Sequence, residues 1–323
     1  MTGTLAGLVF TTGQPALSGA GSGPARALVP VREQTARIGV LAVTLPEPGP
    51  QAVRQAEMLG VFIGMIVAGL ARVSDAPRVR RHGRRMSLPA SMQWDLLPPW
   101  ALHVPGALAA GILEPAYDIA GDAFDYAAGD GVLQFAIIDG MGHGLGSTQL
   151  AGLAVGAYRH ARRAGASLAE MHAAVDEAMA SDYDDLSFAT GILGTLATGT
   201  GRLEWTCAGH PPPLLLRGRK VTGELQAPAT LPFGLGGSPP VVNARDLEPG
   251  DEVLLYTDGV TDAHQAHGDL FGLDRLADLL EREAAGDLEP EETLRRLVQA
   301  LLAYQGGGLR DDATLLLLRW AGR

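Results

Sequence analysis

The chain has 323 residues, a net charge of −11 and a hydrophobic content of 46%. That length holds one large domain or two smaller ones, with enough apolar residues for a real core. The acidic balance excludes general nucleic-acid binding, which needs a basic surface. A single cysteine, Cys207, excludes an internal disulfide framework and a cysteine-rich zinc site. The opening MTGTLAGLVF has no basic region of the signal-peptide kind. The longest apolar run, Met58–Ala71, falls short of the ~20 residues a membrane span needs. These features predict a cytoplasmic protein with no membrane span.

Residues 1–25 are rich in Gly, Ser, Thr and Ala and are expected to be poorly ordered. Arg26–Val31 and Arg37–Leu45 are short apolar runs around a polar turn, the pattern of a β-hairpin. Pro46–Pro50 breaks the chain, and Gln51–Val73 then reads as a helix. Val53, Ala56, Leu59, Phe62, Ile63 and Ile66 share one broad face, while Gly60, Gly64 and Ala68 recur every fourth residue on another. Small residues at that spacing permit close approach of a second backbone. Packing on the preceding hairpin and a homodimer seam are the two readings. Ser74–Arg85 is a linker whose arginines, Arg78, Arg80, Arg81, Arg84 and Arg85, read as a solvated run. Met86–Leu97 is a short helix stopped by Pro98-Pro99, with Met92, Leu96 and Leu97 placed to dock on the next domain. A boundary falls near residue 85.

From Ala107 the pattern turns to strands interrupted by helix pairs. Ala107–Leu113, Ala123–Ala127 and Val132–Ile138 are predicted strands, followed by helices over Ser147–Arg163 and Leu168–Ser181. Further strands are Phe188–Ala197, Leu203–Ala208, Pro213–Leu216, Val241–Asp246 and Glu252–Thr257, with Thr200-Gly201 marking a hairpin. Helices over Leu273–Ala284 and Pro290–Tyr304 and a strand over Ala313–Trp320 complete the chain. Hairpin-linked strands broken by helix pairs predict an α+β sandwich of antiparallel sheets covered by helices.

Four acids stand at the ends of apolar runs. Asp122 precedes a strand in AGD, Asp139 ends one in DGMGHG, Asp258 ends one in LLYTDG, and Asp311 precedes the last in RDDATLLLL. An acid at the rim of a core is costly unless paired, hydrogen-bonded or bound to a metal. Any single Asp, taken alone, reads first as a turn or cap residue. Four converging on one spot make an oxygen-only site suited to Mg²⁺ or Mn²⁺. Competing motifs are poor. GMGHGLGS lacks dinucleotide-binding spacing, there is no Walker A or HExxH sequence, and His264 and His267 sit in polar context. Cys207 has Pro213 where a C-x5-R phosphatase needs its arginine, so it reads as a buried strand thiol. Asp182-Tyr183-Asp184 follows a helix rather than an apolar strand and reads as a cap or loop.

Five segments in order, PAYDIAGD (115–122), IIDGMGHG (137–144), CAGHPPPLLL (207–216), LEPGDEVLLYTDGVTDA (247–263) and LRDDATLLLLRW (309–320), resemble the metal-dependent PPM-type (PP2C-like) serine/threonine phosphatases. The likeness covers residues 107–320 and is strongest to the bacterial SpoIIE/RsbU branch. It implies an α-β-β-α sandwich, two antiparallel sheets flanked by helix pairs. It also implies that Asp122, Asp139, Asp258 and Asp311, with the Gly140 carbonyl, hold two divalent cations, Mn²⁺ or Mg²⁺. Asp312 is implied beside the ligands. Ala120 replaces the first Gly of the usual GGD, and Ala123 stands where a bulkier residue is common; neither removes a carboxylate. His143 follows DG only after Met141-Gly142, so a structural role is as well supported as general acid. Residues 26–72, with VPV, IGVLAV and a closing helix, resemble the last part of a GAF sensory domain.

The organisation implied is a poorly ordered 1–25, a small α/β GAF-like remnant over 26–73, a linker with a short regulatory helix over 74–106, and a phosphatase domain over 107–323. The implied reaction is hydrolysis of phosphoserine or phosphothreonine by a metal-activated water. The implied substrate is a phosphorylated STAS-type anti-anti-sigma protein in a partner-switching pathway. A homodimer through Gln51–Val73 would carry a signal to the site. The alternatives are a catalytically silent PPM-like module that binds a phosphoprotein, and a hydrolase of small phosphate esters.

Overall fold

The computed structural model describes residues 4–322 apart from 20–24, 34–35, 48, 72–86, 115–120, 183–186, 229, 238, 265–267, 287, 307–308 and 310. The chain divides into two compact units, Met1–Arg85 and Met86–Arg323. The Ser74–Arg85 arginine run and Ala120 lie outside the described residues.

The first unit holds α1 (Leu5–Thr12), β1 (Ala16–Ser18), β2 (Ala25–Glu33), β3 (Ala36–Leu45) and α2 (Pro50–Ala71). The three strands form one antiparallel sheet in the order β1-β2-β3. The expected disorder of residues 1–25 is thus corrected over Leu5–Thr12 and Ala16–Ser18; residues 1–3 and 20–24 lie outside the described residues. Thr4 caps α1 by accepting the Gly7 N–H, and Gly13 ends it in the left-handed region at φ 68°. The predicted hairpin is β2–β3.

The face of α2 that meets the sheet is the small-residue one. Ala56 is buried against Ala27, Val29 and Leu45. A Cβ added at Gly60 would lie 2.5 Å from the Pro30 carbonyl oxygen, and one at Gly64 only 1.7 Å from that of Arg32. The larger apolar side chains point away: Met58, Leu59, Phe62, Met65 and Ile66 are all exposed, Met58 to 72%. Packing on the hairpin therefore uses the glycines, because only they let the helix backbone settle onto strand carbonyls. Gly64→Ala is expected to destabilise this unit by about 1–3 kcal/mol, read as faster amide exchange across β2 and β3. Unchanged exchange would mean that the glycine face contributes nothing to the packing.

The second unit opens with α3 (Leu88–Leu96) and β4 (Ala101–Val104), earlier than residue 107, because β4 pairs with β5 (Ala107–Glu114). There follow β6 (Asp122–Gly129), β7 (Val132–Gly140), α4 (Leu145–Arg163), α5 (Leu168–Asp182), β8 (Ala189–Ala197), β9 (Arg202–Ala208), β10 (Leu214–Arg217), β11 (Lys220–Glu224) and β12 (Asn243–Asp246). The remaining elements are β13 (Glu252–Tyr256), the single turn α6 (Asp258–Thr261), α7 (Leu273–Ala284), α8 (Pro290–Gln305) and β14 (Ala313–Trp320). One sheet runs β11-β10-β13-β14-β5-β4 and the other β12-β9-β8-β7-β6, with every pairing antiparallel.

The layers follow from two-sided burial. On β7, Leu133, Phe135 and Ile137 face the other sheet, while Ala136 and Ile138 face α4 and α5. On β14, Leu316, Leu318 and Trp320 face inward between the sheets, while Leu315 and Leu317 face α7 and α8. A strand buried on both faces reads as a continuous apolar run, which is how these strands appear in the sequence. The result is the expected α-β-β-α sandwich. Asp125, buried in β6, is held by Arg159 at 2.7 Å and Arg162 at 2.7 Å; Arg159 also donates to the Leu96 carbonyl at 2.6 Å. This pair of arginines ties α3, α4 and β6 together.

Candidate metal centre

The antiparallel order brings four strand ends to one place. Asp122 opens β6 and pairs directly with Asp139 near the end of β7. β13 ends at Tyr256 opposite Leu315 near the start of β14, so Asp258, which opens α6, and Asp311, which precedes β14, share an end. All four predicted acids line one cavity of about 190 Å³, together with Gly140, Phe188 and Thr190. Glycine makes the crowding possible. A Cβ at Gly259 would lie 1.9 Å from the Asp312 carbonyl oxygen, and one at Gly121 2.6 Å from that of Gly140. Gly142 and Gly144 have φ of 83° and 82°, a backbone that L side chains resist, which accounts for the glycines of GMGHG.

Burial, and after it the acids' mutual repulsion, pushes their protonation upward. Burial, then Asp139 and Asp312, raise Asp122 well above the usual carboxylate range. Burial, then Asp258 and Asp311, raise Asp139 to about 7. Asp258 is raised by burial, then by Asp311 and Asp262. Asp311 is raised by burial first, with Asp312 and Asp262 adding and His143 opposing. Around them sits a hydrogen-bond frame. Thr257 Oγ1 donates to Asp122 Oδ2 at 2.7 Å and accepts the Thr314 N–H at 3.1 Å. Asp312 Oδ2 accepts from Gly121 N at 3.1 Å and from Gln93 Nε2 at 2.6 Å.

A cluster of carboxylate oxygens that repel one another is the donor chemistry of hard divalent cations. Among the described residues no three such side chains close into a tight cage; the acids ring a cavity instead, which leaves room for ions with their water. The residues present fit the cations the sequence implies. Gly140 lies on the cavity wall, Asp312 is buried beside it, and His143 is exposed on the loop above Asp311.

Other sequence candidates lie apart. Cys207 is half-buried in β9, its thiol pushed up by burial. His264 bonds to the Asp262 carbonyl, and His267 lies outside the described residues. Asp182 ends α5, and Tyr183 and Asp184 also lie outside them. Sequence reading missed Gln93, Thr257 and Asp262. It also missed the buried His210, held neutral with a pKa near 4 by burial, whose Nδ1 meets Thr190 Oγ1 on the cavity wall at 2.8 Å. The TDG and AGH motifs contained signals for two of these; Gln93 had none.

The model of the Stage II sporulation protein E (SpoIIE) family matches residues 129–321, more than half of the chain. The chain belongs to the SpoIIE family. Its second unit is a PP2C-type phosphatase domain of that family. The SiaA-PP2C domain of Pseudomonas aeruginosa is 26% identical with a TM-score of 0.61, covering 72% of this chain and 95% of that one. The RsbU and RsbW domains of Rv1364c from Mycobacterium tuberculosis are 28% identical with a TM-score of 0.59, covering 67% and 60%. Protein IcfG of Synechocystis is 28% identical over 140 residues, 43% of this chain; the chain spans only 22% of IcfG. Family membership agrees with the α-β-β-α expectation. No helix among the described residues is long and apolar enough to cross a membrane.

The repulsion has a measurable sign. An unfolded aspartate ionises near 3.8 and Asp139 near 7, so ionising Asp139 opposes folding. Metal-free protein in EDTA is expected to lose stability as the pH rises through 7. Asp139→Asn should flatten that loss and melt higher than wild type at pH 8. Added Mn²⁺ should raise the melting temperature of wild type and not of the variant. Thermal melts across pH, with and without metal, check all three; a variant that melts below wild type in EDTA at pH 8 contradicts the electrostatic account.

Proposed function

We propose that this chain is a metal-dependent protein phosphatase that hydrolyses phosphoserine or phosphothreonine. The observation that carries the reading is the convergence of all four motif acids on one cavity in a SpoIIE-family domain. Asp122, Asp139, Asp258 and Asp311, with the Gly140 carbonyl, would hold two Mn²⁺ or Mg²⁺ ions. Such ions, when bound, acidify a water and offset charge on phosphoryl oxygens. The chain's own residues do the rest. Thr257 fixes the orientation of Asp122 through its Oδ2. Met141, Gly142 and Phe188 line the same cavity as the acids. Cys207, in β9 and away from the acids, supplies no nucleophile, so the reaction runs without a cysteinyl intermediate.

The substrate we favour is a phosphorylated STAS-type anti-anti-sigma protein in the cytoplasm, within a partner-switching pathway. The likeness to a protein with RsbU and RsbW domains supports this. The first unit is then the regulator, and α3 a regulatory helix beside the site. We further propose a homodimer through Gln51–Val73, formed by the exposed side of α2 rather than by its glycines. Its row of Met58, Leu59, Phe62, Met65 and Ile66 is a large apolar surface on one helix.

Purified chain should hydrolyse a phosphoserine peptide with Mn²⁺ or Mg²⁺ and fail in EDTA. Asp139→Ala should lower the rate by about 100-fold or more while the chain still folds. Metal binding with no turnover of any phosphopeptide would favour a silent binding module, and a preference for sugar phosphates would favour a small-ester hydrolase. For the dimer, sedimentation should give twice the monomer mass, and Phe62→Glu with Met65→Glu should give the monomer. A wild type that sediments as a monomer at tens of micromolar contradicts the dimer.

A further inference from the structure

Gln93 lies within α3, and its side chain is completely buried. Its amide nitrogen donates twice, to the Asp122 carbonyl at 2.8 Å and to Asp312 Oδ2 at 2.6 Å. The two acceptors belong to different sheets: Asp122 opens β6, and Asp312 immediately precedes β14. An amide NH₂ has two protons, and both are used. Turning the amide over would set its oxygen against a carbonyl and a carboxylate, so the acceptors dictate its orientation. The amide oxygen, also buried, has no hydrogen-bond partner among the described residues. A buried acceptor left without a donor is destabilising.

Docking of α3 does not account for this. Trp94 and Leu97 already pack against the core between the sheets, and Arg159 holds the Leu96 carbonyl. A leucine or methionine at position 93 would seat the helix without an orphaned oxygen. What the amide supplies and an apolar side chain cannot is a pair of protons aimed at two ligand-bearing segments at once. Other bonds among the described residues cross the same gap, among them Thr257 to Asp122 and Gly121 to Asp312. Both come from the ends of the sheets themselves; Gln93 comes from a helix that belongs to neither.

We propose that Gln93 is a positioning residue of the metal centre, setting the spacing between Asp122 and the Asp311–Asp312 turn. The inference rests on the metal-site reading above. Asp122 and Asp311 sit on opposite sheets, so their separation depends on whatever bridges the two sheet ends. Gln93 neutralises none of the acids. It holds the Asp312 carboxylate and the Asp122 backbone in fixed register, which leaves the side chains of Asp122 and Asp311 directed at the cavity they line.

The test is a Mn²⁺ titration of the full chain by calorimetry, beside melting curves in EDTA. Gln93→Met keeps the length and bulk of the side chain and removes both donors. Its Mn²⁺ affinity should fall about 10-fold or more, with a metal-free melting temperature close to wild type. Gln93→Glu, which sets a carboxylate against Asp312, should fall further. Gln93→Asn retains the amide on a stem too short to reach both acceptors. It should also bind Mn²⁺ more weakly, and it carries the test if Gln93→Met does not fold. Mn²⁺ affinity within about twofold of wild type in a folded Gln93→Met or Gln93→Asn variant would overturn the inference while leaving the metal centre standing. A wild type with no saturable Mn²⁺ binding would overturn the metal centre itself, and this inference with it.

Discussion

Ionised carboxylates crowded at the shared end of two sheets repel one another, and a fold that holds them there must be stiff. The stiffness has a visible source. Strands β7 and β14 are buried on both faces, so neither can shift without opening a packed layer. Asp122 and Asp139 are neighbours in register, so their separation is fixed by a ladder of backbone hydrogen bonds rather than by flexible side chains. The raised proton affinity of Asp139 reflects its burial first and the neighbouring Asp258 and Asp311 charges second. Divalent cations would turn that unfavourable cluster into a binding site, so the same placement that costs stability in their absence would supply affinity in their presence.

The glycines belong to the same design. Gly259 and Gly121 let backbone segments approach where any side chain would collide, and Gly142 and Gly144 take φ values that carry the chain from β7 into α4. The loop is therefore defined by its backbone. Hydrogen bonds from Thr257, Gly121 and Gln93 then complete the aiming of the acids. In the first unit glycine plays a different part. Gly60 and Gly64 bring α2 down onto strand carbonyls, and this turns the helix's bulky apolar side chains outward.

Much of the second unit was legible in the sequence because its strands are apolar runs of strand length bounded by turn residues. The four acids were legible for the same reason: each interrupts such a run at its end. Other features were hidden for physical reasons. β11, KVTGE, lies at a sheet edge and is mostly polar, so it carries no burial pattern. β4 is short and precedes a tight turn, so its pattern merges with the linker although the strand pairs with β5. The orientation of α2 depends on which face can approach a backbone most closely, and the helical pattern alone did not say which face meets the hairpin. Gln93 sits in a short helix of mixed character, where a buried amide and an exposed one look alike. Its role emerges only when Asp312, 219 positions later, is seen beside it.

Crystals of the protein grown with Mn²⁺, with anomalous diffraction recorded at the manganese edge, test the central claim most directly. The account predicts two anomalous peaks inside the cavity bounded by Asp122, Asp139, Asp258 and Asp311. Peaks elsewhere on the chain, with none in that cavity, would contradict it.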